Sequence, residues 1–151
     1  MHEKWKFDHV SLVVRSMDSA ISEFEALGVG PLPPFLGGPG MPFGGKTVRG
    51  RSCEYDMDLR NAEGGFGGLK LEVIEPLGGD SILGEFLDEQ GGGLHHIAFA
   101  VEDLDCEIAD MEERGFKVMQ TGALGTAKWA YFAGEKLGGL VIELLQPPAD
   151  A

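Results

Sequence analysis

Two stretches of this chain carry the same landmarks at a constant offset of 87 residues, and that repeat restricts the fold more than any other feature. His9 aligns with His96, Val14 with Val101, Ser16 with Asp103, Asp18 with Asp105, Ile21 with Ile108 and Gly28 with Gly115. A gap-free match across a strand, a cap, a helix face and a stop glycine marks one supersecondary unit used twice. In the first copy, residues 7–14 alternate as a strand does: His9, Ser11 and Val13 on one face, Val10, Leu12 and Val14 on the other. Ser16 then caps a helix over 17–27, whose Met17, Ala20, Ile21, Phe24 and Leu27 recur at helical spacing. Gly28 ends it.

The remaining segments complete two βαβββ units. Glycine and proline dominate 29–50, which reads as an irregular excursion of the kind used for an active-site lid or a plain surface loop. Residues 51–60 read as a strand with Glu54, Asp56 and Asp58 on one face, a wet face if all three are ionised. A glycine-rich turn over 61–68 leads to a strand over 69–76 that Pro76 ends, and Asp80 or Ser81 caps a short helix through about 89. In the second copy a strand over 94–101 precedes a helix capped by Asp103, then strands over 116–120, 128–133 and 137–145. The expected organisation is one domain over 1–151: module one about 5–78, a linker helix about 80–90, and module two about 93–147.

The repeat also separates the adjacent histidines. His96, not His95, is the counterpart of His9, and its strand-face neighbours Ala98 and Ala100 are small, as Ser11 is beside His9. Small neighbours leave a concavity, whereas His95, Ile97, Phe99 and Val101 form a bulky packing face. His95 is therefore expected to be structural, capped or partly exposed at the strand's start. Each half also ends in an apolar strand that contains a glutamate, Glu72 in 69–74 and Glu143 in 140–145. An ionised carboxylate on a buried face costs several kcal/mol unless something pairs with it. One histidine or one glutamate alone would be read as a core or solvated residue. Four in symmetric places satisfy one another by converging on a divalent cation, so His9, Glu72, His96 and Glu143 are the candidate metal ligands.

Composition narrows the partners. A formal net charge of -13 argues against nucleic acid and anionic membranes, which are bound through clusters of Lys and Arg. A small anionic substrate could still use Lys46, Arg49 and Arg51. No apolar run is long enough for a membrane span, and residues 1–6 hold no apolar signal core, so the expected location is cytoplasmic. Cys53 and Cys106 lack metal-knuckle spacing and read as two buried thiols.

Residues 7–10 (Phe-Asp-His-Val), Lys70-Leu71-Glu72 through Pro76-Leu77-Gly78, Gly93-Leu94-His95-His96-Ile97 and 138–143 together resemble the vicinal oxygen chelate superfamily. Its members include glyoxalase, methylmalonyl-CoA epimerase, extradiol dioxygenases and bleomycin- and fosfomycin-resistance proteins. The block from Leu71 to Gly78, the short helix and the double histidine are most similar to the epimerase branch. The resemblance implies an α+β fold, two paired βαβββ modules forming a curled mixed sheet, a cup around a metal site. It implies Zn, Co, Ni, Mn or Fe on His9, Glu72, His96 and Glu143, with open positions for substrate oxygens. It further implies an enolate mechanism in which Glu143 and, upstream of the Glu72 strand, Glu54 act as acid/base groups on an acyl-CoA or other carbonyl substrate, in a homodimer. A glyoxalase-like lyase, an extradiol dioxygenase and a non-catalytic binding or resistance protein share the scaffold. Lys128, Trp129 and Tyr131 are further candidates to line the cup.

Overall fold

The structure is a computed structural model that describes residues 3–150, so the ends of the expected domain, Met1, His2 and Ala151, lie outside the described residues. Nine strands of mixed sheet and three α-helices make an α+β fold. In chain order they are β1 (Lys6–Val13), α1 (Met17–Ala26), β2 (Gly44–Val48), β3 (Arg51–Ser52), β4 (Tyr55–Asn61), β5 (Leu71–Gly79), α2 (Ile82–Gln90), β6 (Gly93–Ala100), α3 (Leu104–Glu113), β7 (Val118–Leu124), β8 (Ala127–Gly134) and β9 (Leu140–Gln146). Hydrogen bonding orders the strands as β3-β2-β7-β8-β9-β6 and as β1-β5-β4.

The chain divides into two compact units, one holding His9–Met41 and Glu54–His95, the other the residues up to Asp8 with Pro42–Cys53 and the chain from His96 onward. Within the first, β1 runs parallel to β5 and β4 pairs antiparallel with β5. Val10, Leu12 and Val14, the apolar face of β1, pack with Ala20, Ile21 and Phe24 of α1 onto a core of Met17, Val29, Leu32, Ala62, Leu71 and Val73. His9 and Ser11 therefore project from the opposite face, by strand alternation. The Ser16 hydroxyl accepts the Ser19 N–H and caps α1, and Ser81, rather than Asp80, caps α2 by accepting the Gly84 N–H at 3.0 Å.

The second unit repeats the plan. There β6 runs parallel to β9, β8 lies antiparallel between β7 and β9, and α3 covers a core of Val101, Leu104, Met111, Ala130, Phe132 and Leu144. Asp103 caps α3 by accepting the Cys106 N–H at 3.1 Å, and Cys106, in the first turn of that helix, is exposed and not a buried thiol, while Cys53 is half-buried.

Three expectations about local structure need correction. The 29–50 excursion is not irregular throughout: it contains a short 3-10 turn (Phe35–Gly37) and then β2, which pairs with β7. β2 was hidden by its Gly44-Gly45 start, since glycine is a poor strand former and Gly45 has a positive φ of 57° at a register shift. Residues 51–60 are not one strand; β3 and β4 are separated at Cys53 and Glu54. Arg49 and Gly50, both at positive φ, make the tight turn between β2 and β3, with Val48 opposite Arg51. Pro76 does not end β5. The strand runs on to Gly79 with a bulge that sets Met57 opposite Pro76 and Asp56 opposite Gly78, and a bulge is where a strand accommodates a residue without an N–H.

Candidate metal centre

Each unit builds the same arrangement from a histidine near the start of one strand and a glutamate on its parallel neighbour. In the first, β1 and β5 set Ser11 opposite Glu72. His9 Nε2 lies 3.4 Å from Glu72 Oε1, and the Ser11 hydroxyl donates to that same oxygen at 2.9 Å. All three side chains are buried, Ser11 completely. In the second unit, β6 and β9 set Ala98 opposite Glu143, and His96 Nε2 lies 3.0 Å from Glu143 Oε2. His96 is fully buried and Glu143 nearly so. Three apolar flanks explain the burial locally: alternate residues of β6, β8 and β9 face the α3 core, which fixes the other alternation as the face that carries these groups.

His9 in the first unit, and His96 and Glu143 in the second, are buried residues of metal-ligating type. Imidazoles with buried carboxylates are a donor set suited to a divalent first-row metal. Glu72 joins His9 in the first unit through their contact.

Around His96 the structure adds residues that the sequence only hinted at. Tyr131 sits opposite Glu143 on β8, is buried, and presents its ring edge to the His96 ring at 5.0 Å. Gln120, completely buried on β7, pairs in register with Tyr131 and so shares its face; no reading of the sequence singled it out. Its signal was available: a buried amide inside a strand at the same alternation as Gly122. Trp129 also shares that alternation, lying over Gly122 with Phe43 edge-on at 5.3 Å. Lys128 points elsewhere, to Asp105 of α3 at 2.6 Å, so it does not line the face with Trp129 and Tyr131.

His95 is buried rather than partly exposed, with its ring 4.9 Å from Phe86 of α2, on the packing side of β6. The three upstream acids meet different surroundings. Glu54 is exposed in the break before β4, and its backbone carbonyl accepts the Asp80 N–H. On β4, Asp56 and Asp58 take the alternation opposite to that of Leu59 and Asn61, and Asn61 stands directly opposite Glu72. Nor is that acidic face uniformly wet. Asp58 is buried in a two-pronged ion pair with Arg60, whose Nη1 donates to the Leu32 carbonyl, and the Asp58 hydrogen bond raises the Arg60 guanidinium above its ordinary value.

Comparison with known proteins agrees with this geometry. The sequence model of the Glyoxalase/Bleomycin resistance protein/Dioxygenase superfamily matches residues 8–133. An uncharacterised protein of Bacillus subtilis, YqjC, is 35% identical over 88 residues, 56% of this chain and 62% of that protein. Human mitochondrial methylmalonyl-CoA epimerase is 33% identical over 86 residues, 53% of this chain and 48% of the enzyme. The matched stretch thus spans roughly half to three-fifths of the length of these curated relatives. Among solved structures, a hypothetical protein from Bacillus halodurans superposes with a TM-score of 0.68 at 23% identity, covering 99% of both chains. Methylmalonyl-CoA epimerase from Mycobacterium tuberculosis superposes at 0.58 and 22% identity, over 96% of this chain and 89% of the enzyme. At these identities the superpositions establish the fold.

Proposed function

Since the chain belongs to the glyoxalase/bleomycin resistance/dioxygenase superfamily, we propose that it is a metal-dependent enzyme that stabilises an enolate, acting as a methylmalonyl-CoA epimerase-type isomerase on an acyl-CoA or related carbonyl compound. The observation that carries the reading is the pair of buried histidine–glutamate contacts, His9–Glu72 and His96–Glu143, at equivalent positions of the two repeats. The named relatives, bovine, human and mouse methylmalonyl-CoA epimerases among them, support the substrate class.

In this reading His9, His96, Glu143 and Glu72 hold a divalent cation. When bound, such an ion supplies Lewis-acid stabilisation of negative charge that develops on substrate oxygens. The chain's own groups do the rest. The strands bury the centre and exclude water from it, which strengthens every charge interaction there. Glu143, beside His96, takes a proton from the carbon next to the substrate carbonyl on one face. Tyr131, against His96 and opposite Glu143, packs the imidazole in position. Epimerisation needs a second group that returns a proton to the opposite face, and on the resemblance that group is Glu54. The reading extends, on the resemblance alone, to a cytoplasmic homodimer with residues 1–151 acting as one functional domain.

Exchange of the α-proton of methylmalonyl-CoA with solvent deuterium tests it. The metal-loaded protein is expected to catalyse exchange, Glu143→Gln to lose it and Glu54→Gln to slow it. Absence of metal-dependent exchange with methylmalonyl-CoA and simpler acyl-CoA thioesters would overturn the isomerase reading. Turnover of a hemithioacetal instead would move the chain to the lyase branch.

A further inference from the structure

The two halves of the centre differ at the residue that faces each glutamate from the histidine strand, and the difference bears on a ligand. The residue two places after each histidine stands directly opposite the glutamate of the parallel neighbour: Ser11 opposite Glu72, Ala98 opposite Glu143. Both small side chains are completely buried, so the fold accepts a methyl group at this position. In the first half the position carries a hydroxyl, which donates to Glu72 Oε1 at 2.9 Å, the oxygen that also faces His9 Nε2 at 3.4 Å.

We infer that Ser11 is a positioning residue that pins Glu72 as a fixed metal ligand, through a hydroxyl for which the matching Ala98 has no counterpart. The inference rests on the metal-centre reading above and adds to it a residue that orients one of the ligands. The physical basis is general. A carboxylate oxygen accepts several hydrogen bonds, and a buried hydroxyl donor selects one rotamer and one oxygen, leaving the other oriented by default. Groups that orient metal ligands in this way are worth about 10–100-fold in metal affinity. Ser11 donates from the strand adjacent to Glu72, so the restraint is built into the sheet register and does not depend on a mobile loop.

The test is a double-mutant cycle on Co(II) affinity, measured by competition with a chromophoric chelator on the full chain. Ser11→Ala copies the residue at the equivalent place and is expected to fold; a thermal melt without metal checks that it does. It should bind Co(II) about 10–100-fold more weakly than the parent chain. In a Glu72→Gln background the same substitution should have almost no effect, because the group it orients is already altered. Ser11→Thr, which retains the hydroxyl, should recover most of the affinity. Unchanged affinity in Ser11→Ala, or an equal loss with and without Glu72, would overturn the inference while leaving the metal centre standing. If the parent chain takes up no Co(II), the metal-centre reading fails and this inference falls with it.

Discussion

Gly122 supports the face that carries Tyr131 and Glu143, and adding one methyl there tests that placement. A Cβ at Gly122 would stand 2.5 Å from Trp129 Cζ2, 2.6 Å from Cε2 and 2.8 Å from Nε1. Non-bonded carbons rest about 3.5–4.0 Å apart, so in Gly122→Ala the indole must retreat by about 1 Å. Its path is restricted, since Phe43 meets the ring edge-on at 5.3 Å. Overpacking of this kind costs about 1–3 kcal/mol. At roughly 2–4 °C per kcal/mol for a chain of this size, the expected fall in Tm is about 2–12 °C. The near-ultraviolet circular dichroism should change as well, because the displaced ring is one of two tryptophans and the other, Trp5, is held separately by a 2.8 Å hydrogen bond to Glu107. Metal affinity should not change, since no ligand is touched, whereas the Michaelis constant for an acyl substrate should rise as the ring intrudes on the face. An unaltered Tm together with an unaltered near-ultraviolet spectrum would refute the seating of Trp129 on Gly122, and with it the assignment of that alternation of β8 to the site.

Two further outcomes follow from the same packing. Phe132→Ala removes a completely buried ring from the α3 core and should cost about 3–5 kcal/mol in urea unfolding; a loss under about 1 kcal/mol would contradict the core assignment. Asp103 is held below the ordinary carboxylate value, first by the Cys106 backbone N–H that it caps. A depressed carboxylate stabilises the fold above its unfolded pKa and loses that contribution as pH falls through the lower folded value. The advantage of the parent chain over Asp103→Ala in urea midpoint should therefore be full above about pH 4 and shrink below it, and an advantage that grows with acidity would reverse the sign.

The sequence made the symmetric parts of this structure legible because repetition is itself a physical constraint. His9 and His96, the caps Ser16 and Asp103, and the glutamates of the closing strands could be paired by offset alone, and the structure buries all four centre residues on the expected strands. What escaped lay where the halves differ. β2 begins on two glycines and draws its stability from β7, more than seventy positions away, for which no local pattern exists. The bulge at Pro76 let β5 continue where proline alone signalled an end. Asp58 and Arg60, two positions apart on one strand, share a face and form a mutually compensating pair. Gln120 and Ser11 were ordinary polar residues until the register placed them beside Tyr131 and Glu72.

The central claim is that these converging side chains hold a metal ion, and elemental analysis of the purified, untagged chain tests it most directly. One divalent transition-metal ion per chain is expected, lost in His96→Ala and in Glu143→Gln variants that remain folded. Stoichiometric metal that survives both substitutions, or a parent chain that holds none after dialysis against each of Zn, Co, Ni, Mn and Fe(II), would contradict the account.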